Sequence, residues 1–181
     1  GFVKQGYGIG GKDNRFLPET TRRPTTTYRS HLEYSVGGLD IELHPARGEN
    51  DDHRWAWIPK HRAICAGDFF IWNFPNAGNP QKVQRYPREW SAALRKMAAL
   101  APEQLFPGHG PPILGAERVQ PALTESAELL ESIPEQTLSM THERATPNAI
   151  LPEVKLPKDR LERPYLPPLH DDPTFIVRPP S

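Results

Sequence analysis

The chain has 181 residues and sets 22 basic side chains against 22 acidic ones, a formal net charge of zero near neutrality. That balance, without a basic stripe or a polybasic helix, argues against nucleic-acid and membrane-surface partners. No apolar run approaches the roughly 18 residues of a membrane-crossing helix. Hydrophobic residues make up 36% and prolines number 22, which is little apolar content for a self-contained core; the composition predicts a piece of a larger protein. The opening GFVKQGYGIGGKDN lacks the apolar stretch of a secretory signal. The one cysteine, Cys65, lies in an apolar run and reads as a small buried hydrophobe. No disulfide can form within the chain, which suits a reducing compartment; a cytoplasmic location is the expectation, with a periplasmic or secreted one the alternative if a signal lies upstream.

Residues 1–27 are rich in Gly, Thr and Arg, show no period and read as irregular. Alternation begins with Leu32, Tyr34 and Val36 and resumes after Gly37-Gly38 with Leu39, Ile41 and Leu43. Two period-2 runs joined by Gly-Gly predict a β-hairpin. A polar loop over 45–52 follows and contains Glu49, Asp51 and Asp52. Residues 54–58, with Trp55 and Trp57 on one face, predict a third strand, and 59–62 a turn. Residues 63–66 predict a fourth strand that ends at Gly67-Asp68, since Asp is disfavoured inside strands. His44 and His61 read as surface residues.

Residues 87–100 predict a helix with proline in its first turn and Trp90, Leu94, Met97 and Ala98 on one face. Leu105-Phe106 reads as a short strand and residues 107–112, PGHGPP, as a tight loop. A second helix is expected over 117–133, striped by Val119, Leu123, Leu130 and Ile133, then a shorter one over 135–144 and a helical turn at 147–151. Recurrent prolines from 152 to 181 predict an extended arm lying on another surface. Strands, a helix, a strand and a loop in this order describe the latter half of a layered α/β unit.

Three polar positions recur at the predicted strand ends: Glu49, Asp68 and His109. Buried carboxylates must be paired, hydrogen-bonded or bound to metal. Carboxylate with imidazole is a ligand set for a hard or borderline dication. One Asp can bridge two ions about 3.5–4 Å apart. Glycines at 48, 67, 108 and 110 stand beside these positions and permit close backbone approach. By spacing alone, the three positions are equally compatible with three unrelated loops.

Asp68 in CAGD, His109 in LFPGHG, and Gly48-Glu49 ahead of the strand ending in IPKHRAICAGD resemble the second half of the metallo-β-lactamase fold. The resemblance implies that Asp68 bridges two metal ions, His109 ligates the second and Glu49 the first. Most of that superfamily has His at the position of Glu49. The alkyl sulfatase branch has Glu, and the stretch GENDDHRWAWIPKHRAICAGDFFIWNFPNAGNPQKVQRYP looks like alkyl sulfatase-related hydrolases. The implied fold is α/β, the C-terminal half of a metallo-β-lactamase αββα sandwich, followed by a helical, Pro-rich extension resembling a dimerisation region. The implied division is 1–27 irregular, 28–115 half-domain and 116–181 dimerisation-like.

The family's first metal motif, HxHxDH, is absent: the seven histidines include no HxH. The implied dinuclear zinc site is therefore incomplete in this chain, and a fragment is expected sooner than a degenerate protein. The resemblance implies hydrolysis of an alkyl sulfate, a small-molecule ester, by a homodimer built through the C-terminal region. Lys82 and Arg85 would hold the sulfate oxygens, as cations and guanidinium forks suit oxyanions; solvated charges are the competing reading. His53 and Asp52 are expected to support the ligands from behind or to serve as alternative ligands. Phe69, Trp72 and Phe74 read as core sooner than as an alkyl channel. A thioesterase or lactonase on the same fold, and a non-catalytic dimerisation or binding remnant, are the other functions compatible with these residues.

Overall fold

The computed structural model describes residues 22, 24–75, 77, 85–143, 147–150 and 153–168. Most of the irregular segment expected over 1–27, Lys82, and the arm beyond 168 lie outside the described residues. The predicted hairpin is formed by β1 (Leu32–Val36) and β2 (Leu39–Ala46). Gly37 and Gly38 have φ of 60° and 79°, the left-handed pair that a two-residue turn needs and that glycine adopts without steric cost. The turn fixes the register: Leu32 pairs with Leu43 and Glu33 with Glu42. Then come β3 (His53–Ile58), a single 3-10 turn at Pro59–His61, and β4 (Ala63–Ile71). Helix α1 (Pro87–Ala99) crosses over to β5 (Gln104–His109), parallel to β4, and β6 (Ile113–Leu114) turns back against β5. The strands form one sheet in sequential order.

One face of this sheet is covered. Trp55, Trp57, Ile64, Ala66, Leu105 and Ile113 are buried against Trp90, Leu94 and Met97 of α1 and Val119, Leu123 and Leu130 of α2 (Ala116–His142). Burial of each large apolar side chain contributes roughly 1.5–3 kcal/mol. The Trp90 indole N–H donates to the Phe69 carbonyl at 2.9 Å, so the one polar atom of this side chain is satisfied inside the core.

The opposite face leaves Tyr34, Val36, Phe106 and Leu114 exposed. Cys65 shares that face with its partners Ala56 and Phe106 and is exposed, not buried as its apolar neighbours predict. Strand alternation turns it away from the helices. An uncovered apolar sheet face is what half of a two-sheet sandwich presents.

Three boundaries differ from the sequence expectation. The fourth strand does not end at Asp68 but continues through Phe69-Phe70-Ile71. The predicted loop at 107–112 contains the end of β5, which runs to His109, and β6 starts directly after it at Ile113. The two helices expected over 117–144 are one, α2, with Pro121 and Pro134 inside it. Pro134 has no N–H to offer the preceding turn. The helix continues because Leu129, Leu130 and Ile133, one turn earlier, are all buried.

The segment after α2 folds back instead of lying elsewhere. Ile150, at the end of α3 (Pro147–Ile150), joins Val154 and Leu166 in a second apolar cluster with Phe74, Leu129 and Ile133. The short helix α4 (Lys158–Leu161) brings Arg160 to the buried Glu125 of α2, at 2.5 Å. Arg163 donates to the same carboxylate at 3.0 Å and the Tyr165 hydroxyl at 2.6 Å.

Arg95 of α1 clamps Glu131 of α2 through two hydrogen bonds, at 2.7 and 2.5 Å. The guanidinium holds the Glu131 carboxyl below its ordinary pKa. A depressed carboxylate stabilises the fold above its unfolded pKa and loses that contribution as pH falls through the folded value. The pair is partly solvated, which limits it to about 0.5 kcal/mol. Glu131→Gln is expected to lower stability by that amount at pH 7 and by nothing once the pH is below the folded pKa. Urea titrations of both proteins at pH 7 and pH 2.5 check this; an equal difference at both would disprove it.

Candidate metal centre

Asp68 owes its position to an irregularity in β4. Gly67 has φ +54°, and the β4–β5 register shifts on both sides of it, between Cys65 and Gly67 and between Gly67 and Ile71. Such a bulge re-aims the next side chain while the strand goes on. Across the ladder, the space beside Asp68 is kept by Gly108. A Cβ at Gly108 would lie 2.7 Å from the Gly67 carbonyl carbon and 2.9 Å from the Asp68 nitrogen, and would overlap the Asp68 carboxylate.

His109 ends β5, paired with Ile71. Gly110, at φ +91°, turns the chain directly beneath the Trp72 ring. The Trp72 indole N–H donates to the Pro111 carbonyl at 2.7 Å, so the loop after His109 is tied to the end of β4. Trp72 therefore serves this loop, while Phe69 and Phe74 are core residues. The result is that His109 Nε2 lies 3.3 Å from Asp68 Oδ1, both side chains reachable by solvent. Two ligands on one tetrahedral zinc, at 2.0–2.1 Å each, stand about 3.3 Å apart.

Glu49 lies in the loop between β2 and β3. Gly48 ahead of it is buried, with Phe69 where a Cβ would be (2.6 Å), and its carbonyl accepts from the Tyr86 N–H at 3.1 Å. Arg85, the neighbour of Tyr86, is buried and ion-pairs with Glu49. It is not a solvated charge at a helix entrance. His53 opens β3 and stacks on Phe69 with 4.1 Å between ring centroids. Burial pulls its pKa down, and the nearby carboxylates of Asp68 and Glu49 pull it partly back. Its ring lies against Gly48 and Gly67, the residues just before these two acids, and its buried Nδ1 has no hydrogen-bond partner among the described residues. Asp52 points the other way, exposed and paired with Arg54 at 2.5 Å.

The structure thus places Asp68 and His109 in contact and sets His53 beside the glycines that precede Glu49 and Asp68. Sequence reasoning missed the Arg85–Glu49 pair. Their separation of 36 positions hides it, and its one signal is an Arg directly before the aromatic that precedes a helix. An aspartate beside an imidazole, on neighbouring strands cleared by glycine, is a donor set for a divalent cation.

No protein-family profile matches the chain. A linear primary-alkylsulfatase from Pseudomonas sp. is 27% identical over 138 residues, 74% of this chain and 26% of the relative. A β-lactamase-like protein 2 homolog from Caenorhabditis elegans is 28% identical over 82 residues, 45% of this chain and 26% of the relative. The chain thus spans about a quarter of the length of these curated relatives. Among solved structures, the sec-alkylsulfatase Pisa1 from Pseudomonas sp. superposes with a TM-score of 0.73 at 18% identity, over 83% of this chain and 25% of that one. A metallo-β-lactamase family protein from Thermus thermophilus gives 0.51 at 19% identity, over 65% and 39%. The fold is that of part of a metallo-β-lactamase domain, α/β as the sequence resemblance implies.

Proposed function

We propose that this chain, carrying part of a metallo-β-lactamase fold, is the second half of the active domain of a hydrolase that cleaves alkyl sulfate esters. The contact between Asp68 and His109 carries this reading. The donors fit a zinc centre: the 3.3 Å between Asp68 Oδ1 and His109 Nε2 is the spacing of two ligands on one ion, and Asp68 has a second oxygen for another. When bound, two zinc ions supply a water nucleophile at neutral pH and a positive charge to face a developing oxyanion.

The chain's own residues do the positioning. Asp68, at the bulge of β4, and His109, at the end of the parallel strand β5, hold one side of the centre, where Gly108 and Trp72 fix them. Glu49 is the remaining ligand. Arg85 occupies one of its carboxylate oxygens and so orients the other; this suits Arg85 better than holding sulfate, a role left to Lys82. His53, neutral through burial, fills the space behind both acids without adding charge to it.

Zinc sites of this kind need about three protein ligands per ion, so the ligands on the other side come from a segment outside these 181 residues. That segment would also supply the second sheet for the uncovered face. In the same reading the region after residue 115 mediates homodimerisation.

The test is sulfate release from a primary alkyl sulfate by the longer protein that carries this chain, alongside a thioester and a lactone, with zinc measured in each preparation. Sulfate release by a zinc-loaded protein is expected. Thioester or lactone turnover without sulfate release moves the assignment to that ester. A zinc-free protein inert toward all three identifies a binding remnant and ends the proposal.

A further inference from the structure

The edge hairpin carries a second donor cluster that uses none of Glu49, Asp68 and His109. The Gly37-Gly38 turn pairs Leu32 with Leu43, so His31 stands across from His44, and Glu42 lies two residues along on the same face. Glu42 Oε2 is 3.3 Å from His44 Nε2 and 3.6 Å from His31 Nε2. All three donor atoms fall within 4.8 Å of one another.

His44 is not the surface residue its polar neighbours predict. It is 6% exposed, sandwiched between the Trp55 ring at 4.0 Å and the His31 ring at 4.6 Å. Its buried Nε2 makes no hydrogen bond of proper geometry and has only the Glu42 oxygen before it. Its other nitrogen, Nδ1, faces the Lys96 ammonium at 3.2 Å.

We propose that His31, Glu42 and His44 form a zinc site that pins the edge strand β1 to β2. Two imidazoles and a carboxylate are a recurrent zinc ligand set; one measured separation matches the tetrahedral spacing of about 3.3 Å and the other, 3.6 Å, exceeds it by little enough for a tilt of the exposed His31 ring to close the site. His44 is held by Trp55 and cannot turn away. Water fills the fourth position. Lys96 opposes loading: a ligating His44 Nε2 requires the ring proton on Nδ1, where the ammonium now sits. Lys96 is exposed on α1 and swings into solvent when the ion binds.

Lys96 makes the proposal falsifiable, because a merely structural histidine stack gains nothing from its removal. The experiment takes the longer protein that carries this chain, in an Asp68→Ala/His109→Ala background that disables the other centre, and titrates it with Zn²⁺ against a chromophoric chelator, and with Co²⁺ to read the visible bands of four-coordinate cobalt. Expected are a tight site in that background, at least about 10-fold weaker binding when His31→Ala is added, and about 5–10-fold tighter binding when Lys96→Gln is added. His31 is exposed, so its replacement leaves the core intact, which tryptophan fluorescence verifies. No tight zinc in the background protein, or equal affinity when His31→Ala is added, overturns the assignment. Failure here leaves the hydrolase reading untouched, as that reading rests on other residues.

Discussion

Gly108→Ala is expected to cost the fold about 2–3 kcal/mol, within the usual range for overpacking a filled site, and to separate Asp68 from His109. The φ of Gly108 is not in the left-handed region, so the effect is one of space alone. Its missing side chain lets β5 approach β4: the added carbon would meet the Gly67 carbonyl carbon at 2.7 Å and the Asp68 nitrogen at 2.9 Å. These are backbone atoms and cannot rotate aside, so the parallel strands must part at the point where both ligands sit. A loss of that size lowers the melting temperature by about 4–12 °C in a chain of this length. Gly37→Asn is the contrasting change. Nothing lies within 4 Å of a Cβ there, and Asn tolerates the left-handed region, so its melting temperature should stay within a few degrees. Thermal melts of the three proteins, each with its zinc content, give the result; a Gly108→Ala protein that melts and loads as the parent does would show that β4 and β5 are not packed as described.

How far the sequence made this architecture legible depended on whether a signal was local. The hairpin and α1 were readable because a two-residue Gly-Gly turn and a 3.6-residue stripe each declare themselves within a dozen residues. The same turn also fixed the register that places His31 opposite His44, but the polar neighbours of His44 disguised its burial, which comes from Trp55 on the next strand. By sequence Asp68 reads as a strand terminator, because carboxylates are rare inside strands. The bulge at Gly67 removes that conflict, and Phe69-Phe70-Ile71 continue the ladder. Cys65 shows the opposite limit. Its apolar run predicts a strand buried on both faces, whereas only one face has helices against it.

The site was legible in kind and not in geometry. Asp68 and His109 are 41 residues apart, joined through a helix crossover and a parallel strand pair, and no spacing rule brings two such positions to 3.3 Å. The family resemblance named them, and the β4–β5 register supplies the physical reason. Arg85 shows what neither route gave: a cation read as a sulfate holder or a solvated charge is buried and ion-paired with a proposed ligand.

Asp68→Ala in the longer protein should abolish alkyl sulfate hydrolysis while leaving the fold intact. The side chain is 39% exposed and its contact is with His109, itself 75% exposed. A pair so open to water contributes at most about 1 kcal/mol to stability, and alanine at this point adds no atom to the crowded side occupied by Gly108. The expected loss is therefore confined to chemistry. Removing a group that merely orients a ligand costs 10–100-fold in metal affinity or activity; removing the proposed bridging ligand should cost at least about 100-fold in turnover, with zinc falling in step. His109→Ala separates the two ions. It removes a terminal ligand from one of them, so zinc should drop by about one per chain while that of the Glu49 side persists. Zinc analysis, alkyl sulfate turnover and melting temperature measured together on the parent and both variants decide the matter. Full zinc with no turnover in Asp68→Ala would assign the carboxylate to the reacting atoms and not to the metal. Unchanged turnover would remove Asp68 from the site altogether, and with it the observation on which the proposed function stands.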